Sequence, residues 1–259
     1  ASPLLIAGLA GITNETIDRI LLKYLLPQSI NVSEEIGLYG AFYKLSIIMI
    51  LFIQTFRFAA EPFYFAQERA LNSKKIYADV MKYFVIVIAF IFLLVTTFYD
   101  FFINFLGSSY HDERGFMVVS ILLLANFFLG IYYNLSIWFK LTEKTIYGAY
   151  IAIFGALITI VLNYTLIPVI GFIGCAIATL ACYFSMTVVS FYLGNKHFPV
   201  PYNYSRILMY FLLMISIYVI LYCTNFTFIF NSLFILSFML IVYLIERPKI
   251  KESKTKKLF

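Results

Sequence analysis

Polar and charged residues interrupt the first long apolar stretch of the chain, where a membrane would make each of them costly. The stretch runs from Pro3 to about Leu26, and the residues that interrupt it are Asn14, Glu15, Asp18, Arg19 and Lys23. Counting along a helix from Pro3 places Glu15 roughly 18 Å into a bilayer, near its midplane. A charge there costs at least about 2.5–3.5 kcal/mol on insertion scales and usually faces a helix bundle or an aqueous cavity.

Most of these polar residues fall on one side of the predicted helix. Successive residues turn by about 100°, so an arc of roughly 140° holds Ala7, Gly8, Gly11, Asn14, Glu15, Asp18 and Arg19. Glu15 and Arg19 have the i,i+4 spacing that permits an ion pair. Two interpretations stay open. The charges form a structural network that locks this helix to a neighbour, or they line a hydrophilic transport cavity.

The second apolar stretch, from Gly37 to about Ala66, carries another polar group near its end. Gln54, Arg57 and Glu61 lie within about 60° on a helical wheel and therefore share a face. Arg57 could extend to the cytoplasmic interface, with Glu61 neutralising it. Alternatively, Arg57 projects into a cavity as a fixed guanidinium, whose planar donors suit a phosphate group.

Motifs of enzymatic chemistry are missing from the sequence. It has no phosphate-binding loop, nucleophile elbow, HExxH motif or glycine-rich nucleotide fingerprint. We therefore expect no enzyme, no catalytic residue, no metal site and no cofactor, with a coupling cation or the membrane potential as the energy source. Most basic residues lie in loops and the tail, so a nucleic-acid partner is not expected.

The bilayer must be the solvent of the elements that carry these residues. Hydrophobic residues make up 63% of the chain and charged residues only 12%, against roughly half and a quarter in soluble domains. In lipid, only helices or closed barrels satisfy the backbone, and the apolar runs are continuous rather than alternating. The prediction is an all-α integral membrane protein.

About eight spans are expected. Besides the first two, they are Ile76–Tyr99, Phe116–Phe139, two from 145–195 divided at Pro168–Gly171, and two from 207–245 divided at 224–227. Lys and Arg gather in alternate loops, after the second, fourth and sixth spans, and in the tail. The positive-inside rule then places the C-terminus in the cytoplasm.

Four stretches of the chain form a pattern through their order and spacing: 17–27, 37–63, the Lys140-x-Thr142-x-Lys144 loop and 162–179. In this pattern the chain resembles the Wzx-type O-antigen flippases of the MOP transporter superfamily (multidrug/oligosaccharidyl-lipid/polysaccharide). The resemblance implies helices seven to fourteen of such a transporter, hence the second lobe of a V-shaped molecule. It also implies that Asp18, Arg19 and Arg57 line a central cavity. Residues 1–195 would be the six-helix transport lobe, 196–245 two additional helices and 246–259 a basic cytoplasmic tail.

The resemblance implies a function and partners. The expected protein lies in the bacterial inner membrane and moves an undecaprenyl-pyrophosphate-linked oligosaccharide from the cytoplasmic to the periplasmic leaflet. Its partners would be the bilayer, the lipid-linked oligosaccharide, a missing N-terminal lobe and other polysaccharide-assembly proteins. The alternatives are a lipid II flippase, a cation-coupled multidrug exporter, or, in a different class, a membrane-embedded glycosyltransferase or polymerase.

Overall fold

Eight long helices account for most of the structure, a computed structural model that describes residues 2–27, 31–224 and 228–256. The helices are α1 (Ser2–Leu25), α2 (Val32–Gln67), α3 (Ser73–Thr97), α4 (Tyr99–Asn104), α5 (Gly115–Leu135), α6 (Ile137–Leu141), α7 (Ile146–Ile170), α8 (Phe172–His197), α9 (Tyr204–Cys223) and α10 (Phe228–Lys256). Of the described residues, 87% are helical and none lies in a strand. The predicted all-α class is confirmed.

Among the described residues, six helical segments are long and apolar enough to cross a membrane. They are Val32–Gln67, Ser73–Thr97, Gly115–Leu141, Ile146–Ile170, Phe172–His197 and Tyr204–Cys223. The outer surface is consistent with membrane insertion, because α7 leaves large apolar side chains such as Phe154, Leu157 and Val161 exposed. A surface of this kind needs lipid around it. The chain is therefore a multi-pass membrane protein.

Local sequence signals explain where several helices begin and end. Asn31 caps α2 by accepting a hydrogen bond from the Glu34 amide, and Glu34 and Glu35 place negative charge in its first turn. Gly171 separates α7 from α8 with a φ of 60°, a conformation that favours glycine. Pro168 lies inside the last turn of α7, so the glycine makes the break.

The packing of the helices positions two groups of polar residues. α1 packs against α7, α5 against α8, α7 against α8, and α2 against α5. Buried residues such as Phe42, Met49, Ile88 and Leu122 form the core between α2, α3 and α5. α9 and α10 pack against the outside of α3. α1 also contacts α2 and α8.

Candidate functional site

Arg57 is held in place by three groups on α2 and α5. Its Nε donates a hydrogen bond to Oε1 of Glu61 at 2.9 Å, and one terminal nitrogen lies 3.5 Å from Oε1 of Gln54. The guanidinium carbon lies 4.7 Å from the ring centroid of Tyr133. The predicted shared face of Gln54, Arg57 and Glu61 is thus a contact cluster. Such contacts fix the orientation of the guanidinium. A mobile arginine at the membrane interface would lack this fixed orientation.

Lys140 is a second cation in this cluster. Its Nζ donates to the same Oε1 of Glu61 that Arg57 binds. Lys140 lies on α6, which follows α5 after Ser136, and this short helix turns the lysine toward α2. Two cations therefore share one carboxylate, and the cluster carries a net positive charge. The sequence predicts Lys140 in a loop, where it contributes to the topology and to the resemblance, and gives no indication of its contact with Glu61.

A cavity of about 290 Å³ opens beside the two cations. Its walls come from α1, α2, α5, α6, α7 and α8, and the residues that matter most are Gly8, Gly11, Arg57, Tyr132, Tyr133, Lys140 and Tyr183. A Cβ atom at Gly8 or Gly11 would meet nothing within 4 Å. The small face of α1 therefore leaves the space open, and aromatic rings and cations cover the opposite wall.

Asp18 occupies a different place, a closed junction of four helices. It is 1% exposed, and its carboxylate accepts hydrogen bonds from Tyr39 of α2 (2.7 Å), Asn163 of α7 (2.7 Å) and Thr179 of α8 (3.0 Å). Asn163 Oδ1 is buried and has no hydrogen-bond partner among the described residues. A buried carboxylate beside an unused amide oxygen and a hydroxyl can hold a proton or a small cation.

The other residues predicted on α1 do not join either group. Arg19 is exposed, and its guanidinium lies 5.2 Å from the ring centroid of Tyr43. The structure therefore does not bring Asp18, Arg19 and Arg57 together around one cavity. The side chains of Asn14 and Glu15, and with them the predicted pair of Glu15 and Arg19, lie outside the described residues.

Sequence reasoning missed a third polar cluster, between α3, α9 and α10. Glu246 is 3% exposed and accepts hydrogen bonds from Lys82 at 2.7 Å, Arg206 at 2.6 Å and Tyr210 at 2.6 Å. Lys82 is equally buried. A lone lysine inside the third apolar stretch was the available signal, because a buried ammonium needs a partner.

A fourth cluster joins α2 to the segment before α5. Arg114 donates two hydrogen bonds to Glu35, at 3.1 and 2.9 Å, and others to Asp112. The hydrogen bonds from Arg114 hold the pKa of the Asp112 carboxyl below its usual range, although partial burial opposes this shift. The part of the chain that the structure describes holds no group of three His, Cys, Asp or Glu side chains arranged for a metal.

The fold and these clusters define the class, a helical multi-pass membrane protein with a cation-lined cavity. Comparison of the chain with protein-family models, curated proteins and solved structures finds no match.

Proposed function

We propose that the protein is a flippase that moves a pyrophosphate-linked oligosaccharide lipid across the bacterial inner membrane. The observation that carries the proposal is the pair of cations, Arg57 and Lys140, on the wall of one cavity. Such a cavity lowers the cost of bringing an anionic, hydroxyl-rich headgroup below the membrane surface. The lipid tail stays in the bilayer throughout.

In this proposal, each residue around Arg57 has a role. The guanidinium binds phosphate oxygens through two parallel hydrogen bonds, and Lys140 supplies a second, more mobile charge. When no substrate is present, Glu61 pairs with both cations, and its negative charge offsets the repulsion between them. Tyr132, Tyr133 and Tyr183 offer aromatic surface and hydroxyl groups to the sugar.

The position of Arg57 on α2 fits substrate entry from one membrane surface. Arg57 lies 25 residues beyond Val32, which is about 38 Å of helix against a hydrocarbon layer of about 30 Å. By the positive-inside rule we expect this to be the cytoplasmic end, where the lipid-linked sugar would be made. The N-terminal lobe, which the resemblance implies, would supply the facing wall.

Energy coupling falls to Asp18 in this proposal. Its carboxylate joins α1 to α2, α7 and α8, so a change of its charge alters the junction that holds α1. Binding of a cation or proton there would favour one arrangement of the lobe over another. The cavity and the coupling group share α1, about 10 Å apart along its axis from Gly11 to Asp18.

Replacement of Arg57 tests the proposal. In the full-length protein at matched membrane levels, Arg57→Ala should abolish surface polysaccharide, and Arg57→Lys should restore only part of it, because a point charge cannot bind two oxygens in parallel. The exposed cation on the same helix provides a matched control, and Lys44→Ala should export normally.

The double variant Arg57→Ala/Glu61→Ala separates substrate binding from pairing. If Arg57 serves only to neutralise Glu61, Arg57→Ala should keep most of its export, because Lys140 still pairs with Glu61, and the double variant should do no worse. Full export by Arg57→Ala alone would remove this residue from the mechanism.

A further inference from the structure

A second and larger cavity lies at the opposite end of the helix bundle. Its volume is about 420 Å³, within the usual range of small-molecule sites. It is formed where α3 and α9 end and where α5 and α10 begin. Its polar lining includes Thr97, Asp100, Thr224 and Asn231. None of the residues assigned to transport above lines it.

Two residues that line this cavity each carry a polar atom without the partner that a buried group requires. Thr97 Oγ1 and Asn231 Oδ1 are buried, and neither forms a hydrogen bond with any residue that the structure describes. Buried polar groups nearly always have a partner, because desolvating them without one is costly. One atom belongs to a hydroxyl and the other is an acceptor, so a ligand with hydroxyl groups would satisfy both once each side chain rotates toward the cavity.

An aromatic wall stands beside these atoms. The ring of Phe116 stacks on Tyr218 with an interplanar angle of 9° and on Tyr222 with an angle of 17°, at centroid distances of 6.1 and 5.9 Å. Tyr99 meets Phe116 edge-on at 5.3 Å. Tyr222 is 64% exposed and therefore presents free ring surface. Flat apolar surface next to hydrogen-bonding groups matches the alternating C–H and O–H faces of a sugar ring.

The charges of the lining decide between kinds of ligand. The described lining contains no Lys or Arg, which argues against a phosphate or another anion. Its one carboxylate, Asp100, is exposed at the rim, whereas the two buried atoms without partners are neutral. A cation bound in the cavity would need a carboxylate inside the cavity rather than at its rim. We infer that this cavity is a binding site for a neutral saccharide.

Saturation-transfer NMR can test this site independently of transport. The probe is methyl glucoside, added to the full-length protein in phosphatidylglycerol nanodiscs that contain no glycoside detergent. Wild type should transfer saturation to the sugar ring protons. Asn231→Leu should weaken binding by at least about fivefold, the effect of one unmade hydrogen bond.

Three further variants keep the result interpretable. Thr97→Val removes the second buried group and should also weaken binding, so a folding defect in one variant does not decide the outcome. Tyr192→Ala removes a tyrosine of α8 that is exposed to a similar degree to Tyr222 of the aromatic wall, and this variant should bind the sugar like wild type. Arg57→Ala should also bind normally, which separates this site from the proposed transport cavity.

Three results would overturn the inference. They are no transfer to the sugar in wild type, equal transfer in the wild type and both site variants, or displacement of the sugar by ethanolamine, which would indicate a cation site.

Discussion

The side-chain amide of Asn163 donates a hydrogen bond of 2.7 Å to the carboxylate of Asp18, which lies 145 residues earlier in the chain. The contact joins α7 to α1. Tyr39 and Thr179 bind the other carboxylate oxygen, from α2 and α8. One acidic residue therefore organises the packing of the helix that also forms the floor of the cavity at Gly8 and Gly11.

Removal of this carboxylate should destabilise the protein strongly. Asp18→Ala leaves the buried Tyr39 hydroxyl and Asn163 amide without their acceptor, whereas the Thr179 hydroxyl keeps the Cys175 carbonyl, and it should lower the free energy of unfolding by about 3–5 kcal/mol. Thr179→Val removes one donor and should cost about 1.5–3 kcal/mol. The measurement is denaturant unfolding in detergent.

Thr96→Val is the matched control for the loss of a buried hydroxyl. Thr96 bonds only to backbone carbonyls of its own helix in the described hydrogen bonds, so its replacement should cost less than Thr179→Val. Equal effects of the two threonine variants would show that Asp18 adds nothing to the energy of the junction.

The Asp112 carboxyl should titrate below its ordinary range, and Arg114 should be the reason. Since the pKa is lower in the folded state than in the unfolded state, Asp112 contributes stability above about pH 4, and this contribution is lost as the pH falls through the folded-state pKa. Arg114→Gln should return the pKa toward its ordinary value, measured by NMR of the labelled carboxyl carbon. An unchanged titration in Arg114→Gln would exclude the hydrogen bonds as the cause.

Reporter fusions should place the cation-lined cavity at the cytoplasmic end. Fusions after Lys75, Lys144, Asn195 and the C-terminal residue should report cytoplasm, and fusions near Ser33, Ser109 and Asn225 should report periplasm. The reason is the concentration of Lys and Arg in the first set of loops. A periplasmic C-terminus would invert the proposed direction of entry and contradict the assigned topology.

Much of the fold could be predicted from the sequence because the bilayer imposes simple rules. Apolar run lengths indicated the long helices, and Gly171 marked the break between α7 and α8. A helical wheel also grouped Gln54, Arg57 and Glu61 correctly. These features depend only on local spacing along one helix.

The environment of each charge could not be predicted, because it depends on which helices are neighbours. Asp18 and Arg19 are adjacent in sequence, yet one is buried in a four-helix junction and the other is exposed. Lys140 contacts Glu61 only because α6 turns toward α2. The hydrogen-bond partner of Lys82 is Glu246 of α10, more than a hundred residues away, and no pattern within α3 identifies it.

Replacement of the two buried members of the cluster, Glu246 and Lys82, should lower the free energy of unfolding by unequal amounts. Glu246 has three donors, so Glu246→Leu leaves the buried Lys82 with only the half-exposed Asp79, 3.9 Å away, as a counter-ion and also frees Arg206 and Tyr210. The expected loss is about 3–5 kcal/mol of unfolding free energy. Lys82→Met should cost less, because Arg206 still neutralises Glu246 and the methionine fills the space of the lysine stem.

The variants can be ranked by thermal unfolding in detergent and by proteolysis between α8 and α9, where loosened helices should be cut faster. Asp79→Asn is the control, since Asp79 lies 3.9 Å from Lys82 and is half exposed, and it should change stability little. If Lys82→Met proved as damaging as Glu246→Leu, the lysine would be needed for more than charge balance. If neither variant loosened α9 and α10, the cluster would not be what holds this helix pair against α3.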